Sequence, residues 1–360
     1  MFSAPSRAAQ YSGQWVLNAQ GYPTVLPVSI PFCVSSLAEM ATAYSGRKMP
    51  PMPYDEKRKR YKIKDLQSEG FLLVSAESVD RPIVDGDGRI IGVVRPPPSQ
   101  EYRADVDEAK KLMAEVGGKL VVGDDDYSHP RGSGYISINT GISHGQGTQK
   151  PARSNHGANS AAVAQLLESK SMQHLARYQS DSLRLYYPKC YQLYKDALDI
   201  LMAKHPELAS RNFADSIFPK SAFNLGGNAW SHKHVDSKNF PFGWCCITSL
   251  GDFSHVTGGH LILWDLGLIL ELPAGYSASI LSALIIHSNI PTSEEGDIRY
   301  SFVQYFPGEI MRYVDNGCLT DRGFRKKGKK LQERQVAARQ RHRRGYDYLA
   351  DADTLIIRKK

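Results

Sequence analysis

His234-Val235-Asp236, followed by His287 fifty-one positions after the aspartate, Arg299 twelve beyond that and Ser301 two further on, are the residues whose types and spacing point to chemistry. In an extended strand, residues two apart face the same way, so His234 and Asp236 can reach one ion while Val235 packs behind. His287 ends the apolar run from Ser279 through Ile286 and can bring a second imidazole from a neighbouring strand. Two histidines and one carboxylate on one face of an ion leave three positions open, the arrangement suited to Fe(II) oxygen chemistry. A guanidinium holds a carboxylate through paired hydrogen bonds. Arg299 is therefore the candidate anchor for the distal carboxylate of 2-oxoglutarate, with O2 as the second co-substrate.

A lone His-x-Asp is more often a buried hydrogen-bonded pair than a metal site; the later histidine and the Arg-x-Ser change that weighting. His232 has no acid two residues after it and is the weaker ligand candidate. A zinc site at His255 and His260 would need two further ligands that the sequence does not offer. Along the strand, Arg299, Ser301, Val303 and Tyr305 share one face, and at ~3.3 Å per residue Tyr305 lies ~20 Å from Arg299. One strand can hold co-substrate at one end and substrate at the other.

These side chains need a sheet to position them, and the segment from Ala222 to Phe306 supplies the pattern. Short apolar stretches at Trp244 to Leu250, His260 to Trp264, Leu268 to Leu272, Ser279 to Ile286 and Ile298 to Phe306 alternate with Gly, Pro and Asp turns. Antiparallel strands at this spacing predict a double-stranded β-helix, the jelly-roll or cupin-like core. Helices are expected after Ser99, ending at Gly117-Gly118, and at about 158–167 and 188–202, to buttress that sheet. Phe71 to Val74 and Ile90 to Val94 read as strands, and Gly132 to Asn155 as a long Gly- and Ser-rich loop. The class is α+β. The expected division is an N-terminal extension over 1–64, a dioxygenase domain over 65–320 with its core at about 155–318, and a basic C-terminal segment over 321–360.

At 360 residues and 41% hydrophobic content the chain can bury a proper core, which excludes disordered and collagen-like classes. Five cysteines in no zinc-type spacing read as reduced thiols. No apolar stretch approaches the ~18 residues of a membrane helix, and residues 1–30 lack a signal segment, so a soluble intracellular protein is expected, without a membrane partner and as a monomer. The formal charge is +8, but Arg322 to Arg344 holds eleven Lys or Arg against Glu333 alone, a net +10 that leaves the rest of the chain at −2. A smaller cluster follows Lys57 and runs to Lys64. Such clusters act on phosphate backbones through counterion release, or serve as solvated helix surface.

The run Ala222-Phe223-Asn224-Leu225-Gly226, then His234-Val235-Asp236-Ser237-Lys238-Asn239, Pro241-Phe242-Gly243-Trp244-Cys245, Gly258-Gly259-His260-Leu261 and Arg299-Tyr300-Ser301 resembles the TET/JBP family of DNA-base dioxygenases, in the forms expanded in mushroom-forming fungi alongside transposons. The likeness covers about residues 128–317. It implies Fe(II) on His234, Asp236 and His287, and 2-oxoglutarate on Arg299 and Ser301. It also implies a base contact from Asn239, stacking on Tyr305, and Asn155 as a further polar group of the pocket. Where several members carry a histidine, this chain has Pro307. The resemblance implies oxidation of 5-methylcytosine to 5-hydroxymethyl-, 5-formyl- and 5-carboxylcytosine in double-stranded DNA, on a flipped base, in the nucleus. Lys326-Lys327-Gly328-Lys329-Lys330 is similar to an import signal. Pro307 keeps open the same chemistry on N6-methyladenine, thymine, RNA or protein; an inactive nucleic-acid-binding module is the other alternative.

Overall fold

The computed structural model describes residues 16–17, 23–25, 27–37, 42–129, 131–145, 147–326 and 340–355. In chain order the elements that matter are β1 (Val28–Ser29), β2 (Leu72–Val74), β3 (Arg81–Val84), β4 (Ile90–Arg95), α1 (Gln100–Lys119), β5 (Ile136–Ser143) and β6 (Ala152–Arg153). They continue with α2 (Ser160–Glu168), α3 (Lys170–Tyr186), α4 (Pro188–Lys204), β7 (Lys220–Leu225), β8 (Cys245–Asp252), β9 (Leu261–Leu263), β10 (Leu268–Leu270), β11 (Ser277–Ile280), β12 (His287–Asn289), β13 (Ile298–Tyr305) and α5 (Gly308–Asp315).

A nine-stranded sheet runs β6-β5-β7-β13-β8-β11-β4-β3-β1, and a four-stranded sheet runs β12-β9-β10-β2. All pairings are antiparallel except β1 with β3 and β10 with β2. Followed from β7, the chain crosses from the large sheet to a single bridge between His234 and His287 at the edge of the small one, returns for β8, crosses for β9 and β10, returns for β11, crosses for β12 and returns for β13. That order, with β7-β13-β8-β11 in one sheet and the His234 bridge, β12, β9 and β10 in the other, is a jelly roll. The expected fold class holds.

Period-2 alternation divides the large sheet into two functional faces. Phe223 of β7, Leu250 of β8, and Tyr300 and Phe302 of β13 are buried against the helices, while Asn224, Ile247, Arg299, Ser301 and Val303 face the space between the sheets. Phe223 and Phe302 are register partners and stack at 5.3 Å. Helix α1 starts where Ser99 Oγ accepts the Tyr102 N–H at 3.2 Å, a side-chain cap of the expected kind. It buries Tyr102, Val106, Ala109, Met113 and Val116 at helical spacing against that face. α3 adds a polar lock: buried Gln179 donates to Thr248 Oγ1 at 2.7 Å and to the Phe302 carbonyl at 3.1 Å, and Gln304 donates to Gln179 Oε1 at 3.0 Å. Buried amides satisfied this fully fix the register of helix on sheet.

Three local expectations change. Residues 132–155 are not a loop throughout, because β5 pairs with β7 from Ile136 to Gly141 and widens the large sheet. Its Ile-Ser-Ile-Asn alternation carries a strand signal among the glycines. The apolar run from Ser279 is a strand only as far as Ile280. Leu284 and Ile285 then hydrogen-bond back to Leu281, since the chain must turn there to leave one sheet for the other. The helix α3 was not anticipated at all.

Residues flanking the jelly roll are tied into it. Val28, Val34 and Tyr44 are buried in the main core, as are Tyr346, Leu349 and Ala352 from the far end of the chain. Ile90 donates to the Ala350 carbonyl at 2.9 Å. Of the basic C-terminal run, residues 327–339 lie outside the described residues. A strap at 44–49 crosses the two ligand-bearing segments: Gly46 N–H donates to Ser237 O at 2.8 Å and Arg47 N–H to Ala283 O at 3.0 Å. Arg47 Nη2 grips the Asp265 carboxylate at 2.7 and 2.8 Å, and Asp265 in turn accepts the Ile286 N–H next to His287. Arg47→Ala is expected to destabilise the fold by about 2 kcal/mol, the range for hydrogen bonds to charged groups. Denaturant unfolding measures it, and an unchanged midpoint would remove the strap from the account.

Candidate active site

Main-chain pairing sets the metal ligands opposite each other before any side chain is considered. His234 N–H donates to His287 O at 3.0 Å and His287 N–H to His234 O at 2.9 Å, which brings the two rings to 4.2 Å between centroids. Each imidazole is oriented by a carbonyl two residues earlier: His234 Nδ1 lies 2.7 Å from His232 O, and His287 Nδ1 lies 2.9 Å from Ile285 O. A carbonyl can only accept, so both Nδ1 atoms carry the proton and both Nε2 atoms present lone pairs. Asp236 Oδ1 is 3.7 Å from His234 Nε2, and Asp236 Oδ2 is 4.0 Å from His287 Nε2. The ligand atoms of the three residues all lie within 4.8 Å of one another, and both shorter separations can be spanned by two bonds of ~2.1 Å.

The protonation states suit a cation. Burial, reinforced by the neighbouring His287, holds His234 down to about 3, and burial lowers His287 as well. For Asp236, burial works upward, but Arg131 and the two imidazoles outweigh it and hold the carboxyl at about 2. Neutral imidazoles and an ionised carboxylate can take a divalent ion without first losing protons. Among the described residues this is the only cluster of three or more metal-ligating side chains. His255 pairs instead with Glu271 at 3.6 Å, buried His260 turns its Nδ1 to Gly258 O, and His232 packs edge-on to Trp230, so neither alternative expectation forms a site.

The three ligands open onto a cavity of about 540 Å³ between the sheets, which Arg299 and Ser301 also line. Arg299 is 2% exposed. Its Nη1 donates to Ala229 O and its guanidinium lies 5.8 Å from the Phe253 ring centroid, but among the described residues Nε and Nη2 have no hydrogen-bond partner and no carboxylate lies within ion-pair distance. Burial lowers this guanidinium to about 10. A buried cation with two unfilled donors fits a carboxylate ligand, since leaving it unpaired costs stability. Ser301 Oγ accepts from Asn224 Nδ2 at 2.8 Å beside it. The Gly258-Gly259 pair closes this end. A Cβ on Gly259, whose φ is +76°, would stand 2.6 Å from the Phe253 ring and 3.2 Å from Arg299 Nε.

The remaining expected residues are distributed unequally. Asn239 is brought against Asp236 but does not itself line the cavity; its amide nitrogen donates to Ser282 Oγ at 3.1 Å and to Asp236 Oδ2 at 3.3 Å. Tyr305, at the far end of β13, donates to Asn139 Oδ1 at 3.0 Å, and Asn139 lines the cavity. Asn155 does not reach the cavity; its Oδ1 accepts the Gly157 N–H and closes a turn ahead of α2. Pro307 caps the start of α5 and bridges Asn239. Sequence reasoning missed Arg131, whose Nη1 lies 3.1 Å from Asp236 Oδ1, along with Asn139 and Asn224. The period-2 pattern of β5 could have found Asn139; nothing local marks Arg131.

No family model and no curated protein matches this chain. Searches of solved structures find NgTET1 in complex with 5mC DNA, at 14% identity over 66% of this chain and 81% of that one, with a TM-score of 0.38. They also find an oxidoreductase of the 2OG-Fe(II) oxygenase family from Burkholderia pseudomallei, at 12% identity over 60% and 84% with a TM-score of 0.31. A Pseudomonas putida prolyl-4-hydroxylase matches at 17% identity over 60% and 91%, again with a TM-score of 0.31. Similarity this low carries no argument about activity; the jelly roll is established by the chain's own strand order.

Proposed function

We propose that this chain is an Fe(II)- and 2-oxoglutarate-dependent dioxygenase that oxidises 5-methylcytosine in double-stranded DNA. The observation that carries the chemistry is the meeting, in one cavity, of the His234, Asp236 and His287 ligand atoms with a buried Arg299 that has no counter-charge among the described residues. His234, Asp236 and His287 would hold the metal, and Arg299 with Ser301 the distal carboxylate of the co-substrate. When bound, Fe(II), 2-oxoglutarate and O2 supply the oxidising power that turns a methyl C–H into C–OH, with 2-oxoglutarate converted to succinate and CO2.

The chain's own part is positioning. The Nδ1–H bonds to His232 O and Ile285 O leave both Nε2 lone pairs available to the ion they would hold, and Asn239 donates to Asp236. A methyl group within a duplex cannot reach a buried ion, so the nucleotide must leave the stack at a cost of a few kcal/mol. Tyr305 supplies a stacking face at the outer end of β13, worth ~1–3 kcal/mol. Asn239, its nitrogen engaged, offers its oxygen to the cytosine amine. Tyr305→Ala is expected to lower kcat/KM for DNA about 10- to 100-fold with the KM for 2-oxoglutarate unchanged. An equal change in both constants would place Tyr305 elsewhere in the mechanism.

Pro307 favours a second reading on the base. It stands beside Asn239 where the resemblance expects a histidine, so methylated adenine is the competing substrate. Nucleoside mass spectrometry on duplexes carrying either modification, with and without 2-oxoglutarate, tests both. Oxidised cytosine is expected; loss of methyl from adenine alone would transfer the proposal to that base, and no 2-oxoglutarate-dependent product from any substrate would favour an inactive binding module.

A further inference from the structure

The basic cluster over residues 57–64 has no part in the site as built so far, yet its Arg60 lies against a residue of the cavity wall. The guanidinium carbon lies 5.1 Å from the ring centroid of Trp230, a residue of the cavity wall. Two other exposed cations belong to that wall from distant segments: Arg131, ahead of β5, and Lys238, two residues after Asp236. Arg131 stays 56% exposed even with one nitrogen 3.1 Å from Asp236.

The charges explain what these groups are free to do. Asp236 is the sole acid among the residues lining the cavity. On the reading above, the doubly positive metal and Arg299 are offset by Asp236 and the two carboxylates of 2-oxoglutarate, so the loaded centre is neutral. Lys238 and Arg60 are then left outside that balance, while Arg131 shares Asp236 with the metal. Glu309, whose carboxyl is influenced by Lys238, is shared with Lys220 and Arg312 and does not offset the rim. A neutral centre with Arg131 and Lys238 in its wall and Arg60 against Trp230 of that wall, with field lines focused by a cleft, selects a polyanionic substrate over a neutral one.

We propose that Arg60, Arg131 and Lys238 form a phosphate-gripping rim that seats the backbone of double-stranded DNA around the cavity mouth. The proposal rests on the nucleic-acid reading above and gives the N-terminal basic cluster a role independent of the C-terminal run. Phosphate contacts of this kind fix position and orientation without reading sequence, leaving the base to the cavity.

The test is fluorescence anisotropy of a labelled 5-methylcytosine duplex with the full chain, loaded with Fe(II) and 2-oxoglutarate under anaerobic conditions, over a series of KCl concentrations. Each phosphate contact contributes a slope of ~0.9 in log K against log salt. Arg60→Gln and Lys238→Gln, which each remove one positive charge, are each expected to flatten the slope by ~0.9, and the double variant by ~1.8. Stabilisation by 2-oxoglutarate in a thermal-shift assay, retained in all three, confirms that they fold. A double variant that folds and binds with the wild-type slope would overturn the rim while leaving the DNA reading intact. A wild-type chain that binds no duplex, or binds a glutamate-rich peptide as tightly, would overturn both.

Discussion

Asp236→Ala should abolish turnover and weaken metal binding by well over ~100-fold, since disturbing even the outer partners of a metal ligand costs ~10–100-fold. The carboxylate is the only anion among the three ligands, and it is ionised at any working pH because Arg131 and the two imidazoles hold it at about 2 against the upward push of burial. Removing it takes away a ligand and also leaves Arg131 facing the cavity without its partner, so a cation would meet repulsion where it met attraction. His287→Ala should lose turnover equally while keeping that electrostatic attraction, so its metal affinity should fall less than that of Asp236→Ala. Anaerobic titration calorimetry with Fe(II), paired with nucleoside analysis of product, measures both. Unchanged affinity in Asp236→Ala would detach these residues from any metal centre.

The part of this site that the sequence shows is the part built on strand alternation. Arg299 with Ser301 and Val303 shares one face of β13 by the period of two, and His234 with Asp236 keeps the same spacing where only His234 is paired, as a single bridge; all five line the cavity. The step from His234 to His287 is long in sequence, but the apolar run before His287 marks it as the end of a buried segment, and the pair meets through two main-chain hydrogen bonds. Groups that arrive through loops or insertions leave no such trace. Arg131 precedes a glycine-rich stretch that reads as irregular, and Arg47 sits in a strap whose sequence has no periodicity. Each acquires its role only from what the fold carries past it, Asp236 in one case and Asp265 in the other. Asn155 shows the converse: a polar residue in a suggestive loop is consumed by its own turn.

Arg299→Met should separate function from stability in opposite directions. In the ligand-free protein Arg299 is a nearly fully buried cation with two donors unfilled and a guanidinium that burial lowers to about 10, so it is a standing cost to the fold. Replacing a buried charge by an apolar side chain of similar volume is often neutral or stabilising by ~1–4 kcal/mol. The variant should therefore unfold at the same or higher denaturant concentration than the wild type when no ligand is present. Addition of 2-oxoglutarate should reverse the order, because ligand binding stabilises the wild type in proportion to the logarithm of its concentration over Kd and the variant has lost the anchor. Truncating one partner of a buried hydrogen-bonded charge pair costs ~2–5 kcal/mol, so KM for 2-oxoglutarate should rise at least ~30-fold while the Kd for duplex DNA stays unchanged. Arg299→Lys should fall between the two, since an ammonium restores the charge but not the planar fork. If Arg299→Met is less stable than wild type without ligand and responds to 2-oxoglutarate as the wild type does, the guanidinium is a packing element and the co-substrate binds elsewhere. The opposed responses are the signature of a charge held in reserve for a carboxylate that only the co-substrate brings.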